Sequence, residues 1–220
     1  TCLYTSYNTK LIFKSWTGSS WVPNTVDTGS NTVDHNPPYF SAVAEGDYVH
    51  AVFLSSSSIK YVKHTYDPYF PSLSSATTVQ SSVTSTSAPI LSIHTANNYL
   101  YCFWAGSPTA DHVYYKKCVG GTWDSSPTDW INEATDHLTA NDMLTCFYSS
   151  YSYKIGLVYM TKTSSPYNVR FEFLTMPVVP EYPYGLLVIL AICVPIYLVA
   201  RYGWIDRFAR SARPSRELAQ

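Results

Sequence analysis

Positive charge is scarce ahead of residue 201. Arg170 is the one arginine among the first 183 residues, and five more follow: Arg201, Arg207, Arg210, Arg213 and Arg216. Arginine supplies the bidentate fork that binds carboxylates and phosphates, and lysine replaces it poorly. The first 183 residues hold nine basic and thirteen acidic side chains, a net charge of −4, which disfavours nucleic acid as a partner.

Sequence motifs of catalytic and metal sites are absent as well. The six histidines show no spacing typical of metal ligands, so the sequence favours a structural role for each and predicts no metal. Neither a Gly-x-Ser-x-Gly nucleophile motif nor a phosphate-binding loop occurs. The carboxylates fall mainly in turns such as Glu45-Gly46-Asp47, where turn geometry explains them. The sequence therefore predicts neither an enzyme nor a cofactor.

One long apolar run contrasts with this polar background. Residues 184–200 contain no charge. As a helix they cover roughly 25 Å, close to the minimum for one membrane crossing. We predict a transmembrane helix over residues 184–204, with a helix buried in a soluble core as the alternative. Aromatic side chains and one arginine flank the run, as at membrane interfaces: Tyr182, Tyr184, Arg201, Tyr202 and Trp204.

Charge on the two sides of the run predicts its orientation. The segment after position 200 carries a net charge of +3, and positively charged flanks stay in the cytoplasm. The large N-terminal region is therefore expected outside the cell, in a single-pass protein of the cell membrane. The predicted parts are an extracellular domain, a proline-rich juxtamembrane spacer, the transmembrane helix and a basic cytoplasmic tail, over residues 1–175, 176–183, 184–204 and 205–220.

Four segments of the predicted extracellular domain resemble one another. Each reads as an apolar strand, a polar turn and an alternating strand rich in Tyr, Ile and Val, which is typical of a hairpin; they are residues 1–14, 50–63, 101–116 and 145–159. The positions taken as equivalent, 49, 51 and 44 residues apart, are Leu3, Val52, Phe103 and Phe147. An additional strand is expected ahead of three copies, at 37–43, at 88–93 and, more weakly, at 130–138.

Three antiparallel strands per unit at this period are typical of β-propeller blades. We predict an all-β extracellular domain, a β-propeller or propeller fragment of about four blades; a β-sandwich is the alternative. The first copy lacks its leading strand, and open sheet edges invite aggregation. Either further blades belong to a longer parent protein, or residues 169–174 complete a four-bladed ring.

Two copies continue into a glycine-then-tryptophan element, Thr17-Gly18-Ser19-Ser20-Trp21 and Gly120-Gly121-Thr122-Trp123. This element resembles the Asp-box turn of sialidase-like propellers, which ends in Gly-x-x-Trp, although neither copy carries the Asp. The resemblance implies a tryptophan that packs between neighbouring blades. Sialidases bind their sugar acid with clustered arginines, so a region with Arg170 alone is not expected to share their activity.

The tract Val-Pro-Glu-Tyr-Pro lies just before the apolar run and the arginine-rich tail. It resembles the Pro-Glu-Phe-Pro ending of many archaeal surface proteins, with Tyr182 where phenylalanine is usual. The resemblance implies anchoring at the cell surface, as in proteins associated with an archaeal S-layer. An ordinary proline-rich stalk is the alternative.

These features predict a membrane-anchored surface protein with a non-catalytic binding or structural role in the envelope, or an accessory subunit of a membrane complex. The expected partners are membrane lipid, envelope or membrane-complex proteins, and glycans. Two alternatives stay open. A glycosidase-type enzyme would need catalytic residues from further blades. A lectin-like propeller would stack sugars on tryptophan rings, for which the candidates are Trp16, Trp21, Trp104, Trp123 and Trp130.

Overall fold

The computed structural model describes residues 2–5, 10–22, 26–29, 31–34, 40–67, 71–138, 144–177 and 197. The chain divides into two compact units, Thr1–Met176 and Pro177–Gln220. Within this described part, no helix has both the length and the apolar character needed to cross a membrane. Apart from Tyr197, the predicted transmembrane helix and its flanking residues fall outside that part: Tyr182, Tyr184, Arg201, Tyr202 and Trp204.

The described residues form four antiparallel sheets that follow one another along the chain. The first contains β1 (Cys2–Thr5), β2 (Leu11–Lys14) and β3 (Val26–Asp27). The second contains β4 (Phe40–Glu45), β5 (Tyr48–Ser55), β6 (Ser58–Thr65), β7 (Ser72–Leu73) and β8 (Thr77–Ser81). The third contains β9 (Ile90–His94), β10 (Tyr99–Ala105), β11 (His112–Val119), β12 (Thr122–Trp123) and β13 (Thr128–Asn132). The fourth contains β14 (Leu144–Cys146), β15 (Lys154–Thr161) and β16 (Asn168–Thr175). The predicted all-β character of this region is confirmed.

Short polar turns and period-two alternation explain the long hairpins. Ser56 and Ser57 join β5 to β6 with φ angles of 46° and 60°, and Gly46 begins the turn from β4 to β5 with φ 54°. Such left-handed turn conformations match the right-handed twist of the strands that they connect. The predicted hairpins over 1–14, 50–63 and 101–116 correspond to the pairs β1–β2, β5–β6 and β10–β11.

The fourth predicted segment occupies a different place in its sheet from the segments 50–63 and 101–116. Those two cover the second and third strands of their sheets, whereas residues 145–159 cover the first and second. This fourth segment forms the hairpin β14–β15. The chain that continues from β14 runs beside β9, where the Ile93 amide donates to the Tyr148 carbonyl at 3.0 Å. β9 also contacts β4, and the Leu91 amide donates to Ser41 Oγ at 2.9 Å. Thus β14 is a leading strand like β4 and β9.

Phe147 is consequently not the counterpart of Val52 and Phe103, which lie in the second strands β5 and β10. The physical reason is that every antiparallel hairpin shows the same alternation of apolar and polar residues. This alternation identifies a pair of strands, but not the position of that pair within its sheet.

Two other segments belong to different sheets than predicted. The segment 130–138 was expected to lead the fourth copy. Its first three residues instead form the end of β13, which pairs with β11 in the third sheet. The segment 169–174, predicted to complete a four-bladed ring, lies within β16, which pairs with β15 along its whole length and, among the described strands, with no strand of the first sheet. In both cases the strand pairs with one that precedes it closely in sequence, β13 with β11 and β16 with β15, as is usual for consecutive elements.

The second and third sheets repeat one another in detail. In each, two short strands pair with the third long strand, β7 and β8 with β6, and β12 and β13 with β11. The pairing also shifts register at the same place in both sheets. One extra residue of β8, Val79, lies opposite the Ile59–Lys60 step of β6, and one extra residue of β13, Trp130, lies opposite the Val113–Tyr114 step of β11. Because a β-bulge bends and twists its strand at a fixed point, the shared bulge marks these two sheets as structural copies.

Apolar clusters join each sheet to the next. Alternate residues of β10 point to opposite faces of the third sheet. Leu100, Cys102 and Trp104 enter a cluster with the second sheet. Tyr101, Phe103 and Ala105 enter a separate cluster with the fourth sheet. A third cluster, which includes Phe13, Phe53 and Val62, joins the first sheet to the second.

A polar network lies at the interface of the third and fourth sheets. Glu133, just after β13, is 6% exposed. Its Oε1 accepts hydrogen bonds from the Tyr159 hydroxyl at 2.5 Å and from Arg170 Nη1 at 3.2 Å. Arg170 also binds Asp136. The single arginine ahead of residue 201 is therefore held by two carboxylates.

Candidate functional site

The five tryptophans predicted to bind sugars occupy different environments. Trp104 is fully buried, and its Nε1 donates to the Ser107 carbonyl at 2.8 Å. Trp123 is partly buried in the cluster between the second and third sheets, with its ring centroid 5.4 Å from that of Tyr61. Trp130 packs partly buried against the other face of the third sheet. These three rings contribute to packing between sheets, whereas Trp16 and Trp21 do not.

Trp16 and Trp21 form an exposed pair at the tip of a small hairpin. Their rings meet edge to face with centroids 5.3 Å apart, and the residues are 42% and 47% exposed. Between them, Thr17 Oγ1 accepts hydrogen bonds from the amides of Ser19 and Ser20. The Thr17 amide in turn donates to the Ser20 carbonyl at 2.9 Å. The turn is thus fixed by its own hydrogen bonds, and the two rings project from it together.

A polar cleft of about 260 Å³ opens between the second and third sheets. Its lining comes from the turns that follow β9 and β11, from the last residue of β4, and from side chains of β5, β6, β10 and β11. His50 Nε2 lies 2.9 Å from Glu45 Oε2, and His50 Nδ1 lies 2.7 Å from the Tyr61 hydroxyl. The Lys63 ammonium sits 3.5 Å from the centroid of the Tyr48 ring.

Hydrogen-bonding rules define the proton positions in this chain of three side chains. A carboxylate only accepts, so His50 Nε2–H donates to Glu45. Nδ1 of the neutral ring is then an acceptor, and the Tyr61 hydroxyl donates to it. Both ring nitrogens of His50 are therefore occupied, and this histidine has no free nitrogen for a substrate.

Burial determines the protonation of the same groups. It lowers the pKa of His50, against the opposing effect of its hydrogen bond to Glu45. It also raises the pKa of the Tyr61 hydroxyl and of the nearby Cys118 thiol. Near neutral pH the cleft therefore presents a neutral imidazole, a protonated phenol and a protonated thiol. This arrangement can bind a small polar molecule, but it offers no activated nucleophile.

An apolar groove of about 360 Å³ crosses the outer face of the fourth sheet. We call it the aromatic groove; its lining residues are Phe147, Tyr151, Ser152, Lys154, Gly156, Phe171 and Phe173. Phe147, Phe171 and Phe173 are 55%, 53% and 47% exposed, so the groove is open to solvent.

Gly156 forms the floor of the aromatic groove. A Cβ atom at this position would lie 2.7 Å from the Phe147 ring and 3.0 Å from the Phe171 ring. Both rings therefore rest close to bare backbone, which only glycine permits here. At the rim, the Lys154 ammonium lies 4.2 Å from the centroid of the Phe173 ring.

Metal ligation finds no support among the residues that the structure describes. No three of their His, Cys, Asp and Glu side chains lie close enough together to hold one ion. The described histidines instead bind carboxylates, amides or hydroxyls, or stack on rings, as His64 does on Phe13 with centroids 5.1 Å apart.

Comparison with known proteins assigns no family to this chain. No protein-family model matches it, and no curated protein shows significant similarity to it.

Sequence reasoning missed both the polar cleft and the aromatic groove. Glu45 ends β4, and His50 is the third residue of β5, after a two-residue turn. In a hairpin this spacing predicts that the two residues are diagonal neighbours on one face of the sheet. The aromatic groove had a weaker signal, the alternation Phe171-Glu172-Phe173 in the last strand. Phe147 and Phe171 meet only because β14, β15 and β16 are neighbours.

Two buried histidines predict that acid destabilises the fold. Burial lowers the pKa of His64 as well as that of His50. The unfolded chain, with histidine pKa near 6.5, then takes up protons first as the pH falls. The free energy of unfolding should be highest above that value and decrease below it, with a limiting slope of about 1.4 kcal/mol per pH unit for each histidine. Urea unfolding of the full chain in detergent at a series of pH values measures this slope.

The variant His64→Phe isolates one of the two contributions. Phenylalanine keeps the stacking on Phe13, so the pH slope should be smaller than that of the parent chain. Phe13→Leu is the matched control, because it removes the stacking and lowers stability but leaves both histidines. An unchanged slope in His64→Phe would contradict this explanation.

Proposed function

We propose that the chain is a cell-surface protein that binds or supports other envelope components without catalysing a reaction. In this proposal residues 1–175 lie outside the cell and residues 184–204 anchor them in the membrane. The observation that carries the proposal is the uncharged run 184–200, preceded by a region of net charge −4 and followed by a segment of net charge +3.

The division of the chain supports this arrangement. The all-β unit, Thr1–Met176, which we call the body, ends eight residue steps before the apolar run. The intervening segment contains Pro177, Pro180 and Pro183, which favour an extended and fairly stiff spacer. A folded body, a stiff spacer and an anchor are the parts that a single-pass surface protein needs.

Within the body we propose the blades of a β-propeller or of a propeller fragment. Successive blades of a propeller pack face to face, with their leading strands side by side around a shared axis. The contacts of β9 with both β4 and β14 support this reading. The repeated bulge, in β8 opposite β6 and in β13 opposite β11, supports it as well, because a sandwich gives no reason for such repetition.

The electrostatics of the body support a non-catalytic role. Arg170 is bound by Glu133 and Asp136, so it does not offer the free guanidinium with which a sialidase binds its substrate. His50 uses both ring nitrogens within the polar cleft, and burial keeps Tyr61 protonated.

Protease digestion of intact cells tests the proposed topology. The expected result is loss of residues 1–175 from the full chain, while an epitope tag after Gln220 stays protected. Digestion after permeabilisation is the control, and it should remove the tag as well. Protection of the body together with loss of the tag on intact cells would contradict the proposal.

Carbohydrate binding is the second candidate function, favoured by the exposed Trp16–Trp21 pair. Two indole rings on a turn fixed by its own hydrogen bonds offer stacking surfaces at a low entropic cost. Trp104, Trp123 and Trp130 are committed to packing, so this candidate depends on the hairpin tip alone.

A binding assay on envelope glycans tests the second candidate. Trp16→Ala and Trp21→Ala should each abolish binding by the full chain, because either change removes one stacking face. Tyr148→Ala, which removes an aromatic ring that is 76% exposed on another sheet, should bind like the parent. Equal binding by all four proteins, or by none, would exclude sugar stacking at this pair.

A further inference from the structure

The end of the fourth sheet that carries the aromatic groove is also the end where the chain leaves the body. Thr175, the last residue of β16, pairs with Lys154 at the start of β15. The next amide, that of Met176, donates to the Tyr153 carbonyl at 2.8 Å. The turn before β15 therefore lies beside the exit toward the apolar run.

The turn and its surroundings expose aromatic side chains at this end. Tyr151 is 85% exposed and Tyr148 is 76% exposed. Phe173, two residues from the end of β16, lies in the same groove as Tyr151 and Lys154. We call Tyr148, Tyr151, Lys154 and Phe173 the aromatic tip.

The chemistry of the aromatic tip matches a membrane interface. Tyrosine has an apolar ring and a polar hydroxyl, and such side chains concentrate at the level of the lipid headgroups. Residues 147–156 contain one charged side chain, Lys154, and no carboxylate. A lone cation among exposed rings suits an anionic lipid surface and keeps its stem over apolar area.

The length of the spacer brings this end within reach of the bilayer. Seven residues lie between Met176 and Tyr184, which makes eight residue steps. Fully extended, they span at most roughly 29 Å, and any bend shortens the distance. The opposite end of β16, at Asn168, lies about 23 Å from Thr175, the length of seven residue steps of a strand.

We propose that the aromatic tip rests on the headgroup region of the membrane that anchors the chain. The contact would orient the body relative to the bilayer, in addition to the single covalent link through the spacer. This inference rests on the membrane anchoring proposed above. A protein partner on the same surface is the competing occupant.

Site-specific photocrosslinking in the full chain tests the contact. A benzophenone amino acid replaces Tyr151 or Tyr148, whose high exposure makes the change tolerable to the fold. The protein is reconstituted in vesicles of phosphatidylcholine and phosphatidylglycerol, irradiated and analysed by mass spectrometry. The expected result is a peptide with the mass shift of one lipid at both positions.

Two reference positions make the outcomes distinguishable. Tyr167 is 50% exposed next to the far end of β16, and a probe there should yield no lipid adduct above background. A probe at Leu190, within the apolar run, reports the anchor itself. Lipid adducts at Leu190 with none at Tyr151 and Tyr148 would overturn the contact alone, as would protein adducts at these tyrosines or equal lipid adducts at Tyr167. No lipid adduct at Leu190 would overturn the anchoring on which the inference rests.

Discussion

A β-sheet has two faces, and burial of an apolar face stabilises the folded state. An apolar face that stays in water does not give this stabilisation. In this chain the apolar faces are buried because successive sheets pack against one another. β10 shows it most clearly, because Trp104 points into the cluster with the second sheet and Phe103 points into the cluster with the fourth. The second and third sheets are therefore the interior layers of the body, and their side chains have little freedom to serve a ligand.

The same constraint explains where the candidate surfaces lie. Some polar groups between sheets satisfy one another, as Glu45, His50 and Tyr61 do, and both ring nitrogens of His50 are then occupied. The fourth sheet has an apolar neighbour on one face, while Phe147 and Phe171 on its other face are exposed. These exposed rings lie on the sheet whose last strand, β16, leads to the spacer.

Local sequence rules predicted much of the fold and little of the site. Turns such as Ser56-Ser57 and Gly46-Asp47 lie between alternating strands, so the long hairpins were predictable from a few residues each. The alignment of β14 failed because the alternation in one hairpin is the same as in another. Contacts between strands that are distant in sequence, such as Phe13 on His64, depend on which sheets become neighbours, and no local pattern encodes that choice.

Hydrogen exchange of the backbone amides, followed by mass spectrometry on the full chain in detergent, tests the stacking of the sheets most directly. Amides of β5 and β10 belong to sheets that are covered on both faces, so they should exchange most slowly. Those of β16, whose Phe171 and Phe173 face outward, should exchange fastest among the long strands. Equal protection of β10 and β16 would contradict an ordered stack with covered interior sheets and an open terminal one.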